Sequence, residues 1–399
     1  MTNRSLRRAG WTLALALTAL GAWAVTRSSD NDVAAGPPGY LVGAYYYTWY
    51  YSGHWAGNDY AGRHLPSPLE PLLGEYVSDH GEVIASHLQW ASQYGIDFFI
   101  ISWSHAGSFA DQTARRWLLP AMAESGVRQA PTVELSSYGE RDLGNAGFRR
   151  RLADDLQFLG EHYLKHPSAL QVDGRPALFL YVSRVLVGDV ASWIAEVRSM
   201  LEAIGIDAFI IADEVFWHEP DPARLRLYDG VTAYNVYDWP RTGNAGYARD
   251  SSFLADVEEL FGRWKAAADA AGVRFIPNAM PGYNDRGVRP AADHYVIPRR
   301  LDPTASITSL FERSIDLARR FVDPTLPMLT ITSFNEWNEW TQVEPARPAN
   351  RPPASDAAAF TQGFPHDPYQ FEYLEVIRDR LGDGSDGSRG ARLATRAER

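Results

Sequence analysis

A single (β/α)8 TIM barrel is the fold class that the sequence predicts. Three observations lead to it. Short apolar runs recur between residues 40 and 381, amphipathic stretches alternate with them, and the runs number eight. Strand alternating with helix implies parallel strands joined by right-handed crossovers. Eight such units favour a closed barrel over an open sheet.

The strand candidates are 40–47, 96–103, 130–135, 176–183, 206–212, 230–235, 273–279 and 327–333. Each is rich in Val, Ile, Phe or Tyr, as strands buried on both faces should be. The helix candidates are 82–94, 112–126, 146–165, 189–204, 252–271, 306–321 and a last one near 368–381, each carrying one apolar stripe. No Gly-rich nucleotide fingerprint follows any strand, and no repeat of 20–50 residues is present. The barrel is placed at 39–381.

The amino terminus carries Arg4, Arg7 and Arg8 ahead of an apolar run from Trp11 to Val25, with Ala22 and Ala24 in an A-x-A arrangement. Residues 1–25 therefore read as a signal peptide or a retained N-terminal membrane anchor. The run falls short of the roughly 20 residues that span a bilayer. Either reading predicts an exported, secreted or periplasmic protein. Residues 26–38 read as a Pro/Gly-bearing linker, and 382–399 as a disordered tail.

A formal charge of -11 argues against a nucleic-acid partner, which needs a basic stripe. Zero Cys excludes disulfides and thiolate chemistry. His87 and His105 lack partners at metal-ligand spacing and read as packing or surface residues, so neither a metal nor a cofactor is expected. Aromatics form 13% of the chain, many beside Gly, Asn, Asp and His. That mixture suits both a packed core and stacking on sugar rings.

Barrel chemistry sits at the carboxyl ends of the strands. The residues leaving the predicted strands are Tyr46 to Tyr50, Ser102 to His105, Glu134, Tyr181, Asp213 with Glu214, Tyr234, Asn278, and Asn335 with Glu336. The acidic group Asp213, Glu214 and Glu219 reads as a solvated loop. The last strand runs into "TSFNEWNEWTQVEP", with Glu336, Glu339 and Glu344. Glu336 and Glu339 can converge only if the strand ends near Asn335 and the chain turns at once. Paired carboxylates serve glycoside hydrolysis. The same spacing also fits a charged loop whose glutamates pair with arginines such as Arg289.

"ITSFNEWNEWTQVEPA" resembles the signature of glycoside hydrolase family 99, the retaining endo-α-mannosidases and endo-α-mannanases. "YYYTWYYSGHW" at 45–55, "LGEYVSDHGEVIASHLQWASQYGIDFFIISW" at 73–103, "VELSSYGERD", "YDGVTAY", "PGYNDRGVRP" and "PYQFEYLEVIRD" also have counterparts in order over residues 40–381. The resemblance implies a barrel and an oligosaccharide or polysaccharide substrate. It implies that Glu336 is the general base, acting on the mannose 2-hydroxyl to form a 1,2-anhydro sugar, and that Glu339 is the general acid/base, held protonated by apolar neighbours. Tyr46, Tyr234, Glu134 and Arg289 match positions expected to contact sugar hydroxyls, and His54 with Trp55 a substrate loop. Trp49, Trp103, Asn335 and Trp340 complete the candidate binding set.

Three departures stand beside the glutamates. Asn338 replaces His, Trp340 replaces Gly, and Ala291 with Ala292 replaces Trp-Asn. Trp340 either enters the cleft as a stacking platform or a block, or folds under the loop into space left by Ala291. The departures leave open a different α-linked glycan as substrate, and a non-catalytic carbohydrate-binding or glycan-synthesis accessory barrel as a further alternative.

Overall fold

The computed structural model describes residues 39–236, 252–291 and 294–382, all within one compact unit that begins at Pro38. The expectations for residues 1–38, Ala292 and 383–399 lie outside the described residues.

Among the described residues, eight parallel strands surround a common core: β1 (Leu41–Tyr46), β2 (Phe98–Trp103), β3 (Arg128–Glu134), β4 (Arg175–Tyr181), β5 (Phe209–Asp213), β6 (Gly230–Thr232), β7 (Arg274–Ile276, resuming as Asn278–Ala279) and β8 (Met328–Ile331). Each pairs with its neighbour in chain order, and β8 pairs back onto β1 with Leu41 opposite Met328. Closure therefore passes through β7. Pro277 divides that strand because it has no N–H to give the ladder. The first half of β7 pairs with β6 and the second with β8. The Pro277 carbonyl accepts the Thr330 N–H at 3.0 Å, which carries the ladder across the break.

Each expected strand and helix is present, with shifted ends and two helices that depart from regular geometry. The helix expected over 112–126 has a wide π turn at Ala114–Leu118 between Phe109–Thr113 and Leu119–Ser125. Pro120, at the start of the last piece, lacks the N–H that a continuous ladder requires. The helix Ala146–Leu159 likewise widens at Gly160–Leu164. A Cβ on Gly160 would stand 2.8 Å from the Ile204 side chain, so glycine there permits close packing on the next helix. Helix starts follow side-chain caps: Asn145 accepts from Gly147 and Phe148, and Asp189 from Ser192. The helix Gly81–Tyr94 stops at Gly95, whose φ of 85° suits glycine.

Strand alternation assigns side chains to faces. Tyr45 points into the barrel, 4.7 Å from the Tyr234 ring and 6.4 Å from that of Phe179. Tyr46 points outward to the helix layer, where its hydroxyl meets His87 Nδ1 at 2.9 Å and its ring stacks on Phe99. Ser102 faces in and Trp103 faces out, with the Trp103 indole N–H on Asp111 and its ring over Phe158.

A short antiparallel pair, Leu69–Pro71 with Ala346–Pro348, ties the loop after β1 to the segment beyond β8. These two loops frame the upper mouth of the barrel.

Candidate active site

After β8 the chain makes the tight excursion that converging glutamates require. Its base is closed by Ser333 N–H to Thr341 O at 2.8 Å and Glu344 N–H to Phe334 O at 2.8 Å. Inside it, Ser333 Oγ accepts the Glu336 N–H at 2.9 Å, and Glu336 Oε1 accepts the Asn338 N–H at 2.8 Å. Asn335 is fully buried and serves the backbone: its amide exchanges hydrogen bonds with the N–H (2.8 Å) and carbonyl (2.9 Å) of Tyr47. The β8 loop is thereby locked to the end of β1.

Glu344, the third glutamate, lies beneath the excursion with no exposure. It accepts from Trp337 Nε1 at 2.7 Å and Tyr76 OH at 3.0 Å, and its other oxygen meets His87 Nε2 at 3.0 Å. His87 joins it to Tyr46. His87 is thus a buried polar link, whereas His105 is exposed.

Glu336 and Glu339 share the barrel mouth. Glu339 Oε1 accepts from Arg289 Nη1 at 3.0 Å, and Oε2 lies 3.4 Å from the Tyr234 hydroxyl, which in turn accepts from Tyr47 OH at 2.8 Å. Burial raises the Glu336 carboxyl well above the usual glutamate range, and the charge of Glu339 adds to the rise. Burial also raises Glu339, with the Arg289 guanidinium opposing. The expectation that apolar neighbours surround Glu339 is corrected here, since its immediate partners are an arginine and a tyrosine. Glu134, at the end of β3, accepts from Ser102 Oγ at 2.8 Å. Burial pushes its carboxyl up to about 7 against that hydrogen bond, assisted by Glu339 and Asp213.

The structure brings together Glu134, Tyr234, Arg289, Glu336 and Glu339, and moves several other candidates elsewhere. Tyr46 and Trp103 face the helices, so Tyr47 and Ser102 take the inward positions. Trp55 is buried, stacked on Tyr50 at 4.5 Å with its N–H on the Tyr76 carbonyl. Asn335 acts on backbone groups. Trp49 lies 4.4 Å from the Tyr47 ring, between the site and His54. His54 is buried beside Tyr50 and Tyr51, and burial lowers its imidazole to about 4, so it is neutral at ordinary pH.

Trp340 is only 1% exposed and does not line the cleft. Its ring packs on Trp337 and His366 and under the Arg299 guanidinium, 5.5 Å from the ring centroid. A Cβ on Gly62 would stand 2.6 Å from the indole, whereas Ala291 is exposed, so Gly62 provides the space and Ala291 does not. The acidic group after β5 is likewise no solvated loop: Asp213 is buried on Arg184, and Glu214 is buried on Arg224 and Tyr228. Only Glu219 is exposed, beside Arg263. Tyr47 and Ser102 stand among the residues that leave the predicted strands, but β1 and β2 are buried throughout and nothing in such runs marks which residues turn inward. The spacing of Asp285 and Arg289, four residues apart, permits their pairing at 2.9 Å, but nothing in the local sequence signals that Asp285 is fully buried.

Residues 54–359 match the model of glycosyl hydrolase family 99. A human glycoprotein endo-alpha-1,2-mannosidase-like protein is 25% identical over 383 residues, covering 84% of this chain and 74% of that protein. The rat glycoprotein endo-alpha-1,2-mannosidase is 24% identical, covering 66% of this chain and 61% of its own length. The structure of the endo-alpha-mannosidase of this family from Bacteroides thetaiotaomicron superposes with a TM-score of 0.58 at 17% identity, over 89% of this chain and 98% of that one. At that identity the likeness establishes the shared barrel.

Two expectations follow from the geometry. Trp340 holds a left-handed backbone, φ 55°, which only glycine adopts without cost. Trp340→Ala should therefore destabilise by about 3–5 kcal/mol in urea unfolding. Trp340→Gly should cost less than the alanine variant, because a side chain in that conformation adds about 1–2 kcal/mol. Glu134 gives a pH signature. Its folded value near 7 lies above the ordinary 4.5, so its contribution is complete below pH 4.5 and is lost as pH rises through 7. The stability of the native protein relative to Glu134→Gln should fall across that window in parallel urea titrations.

Proposed function

The chain belongs to glycosyl hydrolase family 99 and is a glycoside hydrolase, and from this premise we propose that it is an exported, retaining, endo-acting enzyme that cleaves α-mannosidic linkages in mannan or mannose-rich glycans. The observation that carries the reading is the convergence of Glu336 and Glu339 at the barrel mouth, with Glu134, Tyr47 and Tyr234 around them. The names of the human and rat relatives support the mannosidic substrate. The burial of Trp340 supports it further, because the largest departure from the family signature lies outside the cleft. Export rests on the charged and apolar pattern of residues 4–25.

In the proposed reaction Glu336 takes the proton of the mannose 2-hydroxyl, and O2 attacks the anomeric carbon from the face opposite the leaving group. Glu339 gives its proton to the departing oxygen. Water, deprotonated by Glu339, then opens the 1,2-anhydro sugar while Glu336 returns the proton to O2, so configuration is retained. An axial O2 suits this course because it lies anti to an α leaving group. Burial favours the neutral carboxyl at both glutamates, which suits proton donation by Glu339, whereas Glu336 must give up its own proton before it acts as the base. Arg289 supplies the counterweight: it stabilises Glu339 as a carboxylate once the proton has gone. Tyr234 donates toward the same group, so the ionised state finds two donors already in place.

The protein incubated with α-mannans and other α-linked oligosaccharides should generate new reducing ends from mannosides, with the α anomer formed first by NMR. First formation of the β anomer, or no cleavage of any mannoside, would reject the proposal. Glu336→Gln and Glu339→Gln should each lose about 10² to 10⁴-fold in turnover while still binding oligosaccharide. A mannosyl fluoride, whose leaving group needs no proton, should restore only the Glu339 variant. Equal rescue of both would contradict the two roles.

A further inference from the structure

Beside Glu339 lies a second buried carboxylate that the proposed reaction does not use. Asp285 is fully buried, and its Oδ2 accepts from Arg289 Nη1 at 2.9 Å and meets His294 Nδ1 at 2.6 Å. The same Arg289 nitrogen donates to Glu339 Oε1 at 3.0 Å. One guanidinium is therefore shared between a buried aspartate and a carboxylate of the site. Glu339 has 16% side-chain exposure and Arg289 51%, so of the three groups only Asp285 is sealed from solvent.

The segment that carries Asp285 is fixed to the glutamate loop through its backbone. Asn284 N–H donates to the Glu339 carbonyl at 2.9 Å, and the Asp285 carbonyl accepts from Arg289 N–H at 2.8 Å. A Cβ on Gly287 would stand 2.4 Å from the Tyr60 backbone, so this turn lies directly against the loop after β1. A flexible arginine stem would otherwise sample many rotamers. A buried anion at a fixed place holds its head group.

We propose that Asp285 is a positioning residue for Glu339: it pins the Arg289 guanidinium against the Glu339 carboxylate and takes up part of its charge, while His294 balances Asp285 from the other side. The division of charge has a chemical purpose. A cation given wholly to Glu339 would favour the carboxylate so strongly that proton donation would suffer. An arginine held by a second anion fixes the geometry with a smaller effect on the proton. The other groups facing Glu339 are Glu336, Glu134, which burial raises to about 7, and the tyrosines Tyr234, Tyr47, Tyr181 and Tyr283, the last of which also faces Asp285. The tyrosines are raised well above their ordinary range by burial, so they stay neutral while Glu339 titrates.

The inference rests on the reading of Glu339 as the acid, and the test separates the two. The Glu339 carboxyl carbon is followed by 13C NMR titration, assigned through its loss in Glu339→Gln, and the alkaline limb of kcat/KM is recorded on the same proteins. In Asp285→Asn, which keeps the shape and removes the charge, the Glu339 midpoint should fall by about 1 pH unit. In His294→Ala, at a side chain one-third exposed, it should rise, because Asp285 then claims more of Arg289. Opposite shifts are not expected from loss of packing. The kcat/KM limb should move with the NMR midpoint, and kcat should fall more than KM changes. If the midpoint shifts and the limb does not, the acid role falls while the positioning role stands. If the midpoint shifts in neither variant, or in the same direction in both, the proposal is overturned. Should Asp285→Asn fail to fold, His294→Ala alone decides: an unshifted midpoint refutes the role.

Discussion

The glutamate loop depends on one fully buried carboxylate. Glu344 has no solvent exposure, and a charge or an unpaired acceptor in such a place is costly unless donors surround it. Its three partners come from three parts of the chain: Trp337 in the loop itself, Tyr76 after β1, and His87 in the first long helix. A donor left without its acceptor costs about 1–3 kcal/mol, so a loop displaced by one residue would forfeit several such bonds together. The placement of residues 333–344 satisfies all three. Tyr46, which points away from the cleft, contributes to this arrangement by meeting the opposite nitrogen of His87.

The barrel was legible in the sequence because its strands are buried on both faces and read as unbroken apolar runs. That same property hid which face each residue takes. Tyr45, Tyr46 and Tyr47 are all aromatic, and a run without polar alternation gives no sign of which points to the axis. The resemblance to a known family suggested Tyr46, and the fold assigns the inward place to Tyr47. Ser102 and Trp103 repeat the lesson: the tryptophan stood in the candidate binding set, and the small serine is the one that reaches Glu134. Trp340 was illegible for a different reason. A residue in place of the family's glycine suggests a filled subsite, but the glycine position is a left-handed turn whose side chain points back beneath the loop. Partners far apart in sequence, such as Asp213 with Arg184 or Glu214 with Arg224, become visible only when the barrel closes.

The electrostatic character of the mouth follows from this packing. Glu134, Asp213, Glu336 and Glu339 are each raised by burial, while Arg184 and Arg289 oppose the rise at Asp213 and at the glutamate pair. Carboxylates outnumber cations there, in keeping with the formal charge of -11. Such a site has little to offer an anionic ligand. It suits a neutral sugar whose anomeric carbon gains positive character as the leaving group departs, because a carboxyl that has given up its proton stabilises that development.

The tyrosines set the direction of hydrogen bonding in the same space. Burial raises the hydroxyls of Tyr47, Tyr181 and Tyr234 far beyond their ordinary value, so each remains a neutral O–H. Tyr47 donates to Tyr234, and Tyr234 donates toward Glu339. A chain that ends on a carboxylate cannot reverse while that carboxylate is ionised, because it has no proton to return. The Tyr47 oxygen is thus left as an acceptor, and a hydroxyl that meets it must donate. When Glu339 carries a proton the constraint relaxes, and the Tyr234 hydroxyl is free to turn toward another acceptor. The protonation state of one carboxyl is in this way transmitted through two phenols to the polarity with which the cleft meets its ligand, and Arg289, by holding Glu339, acts on both.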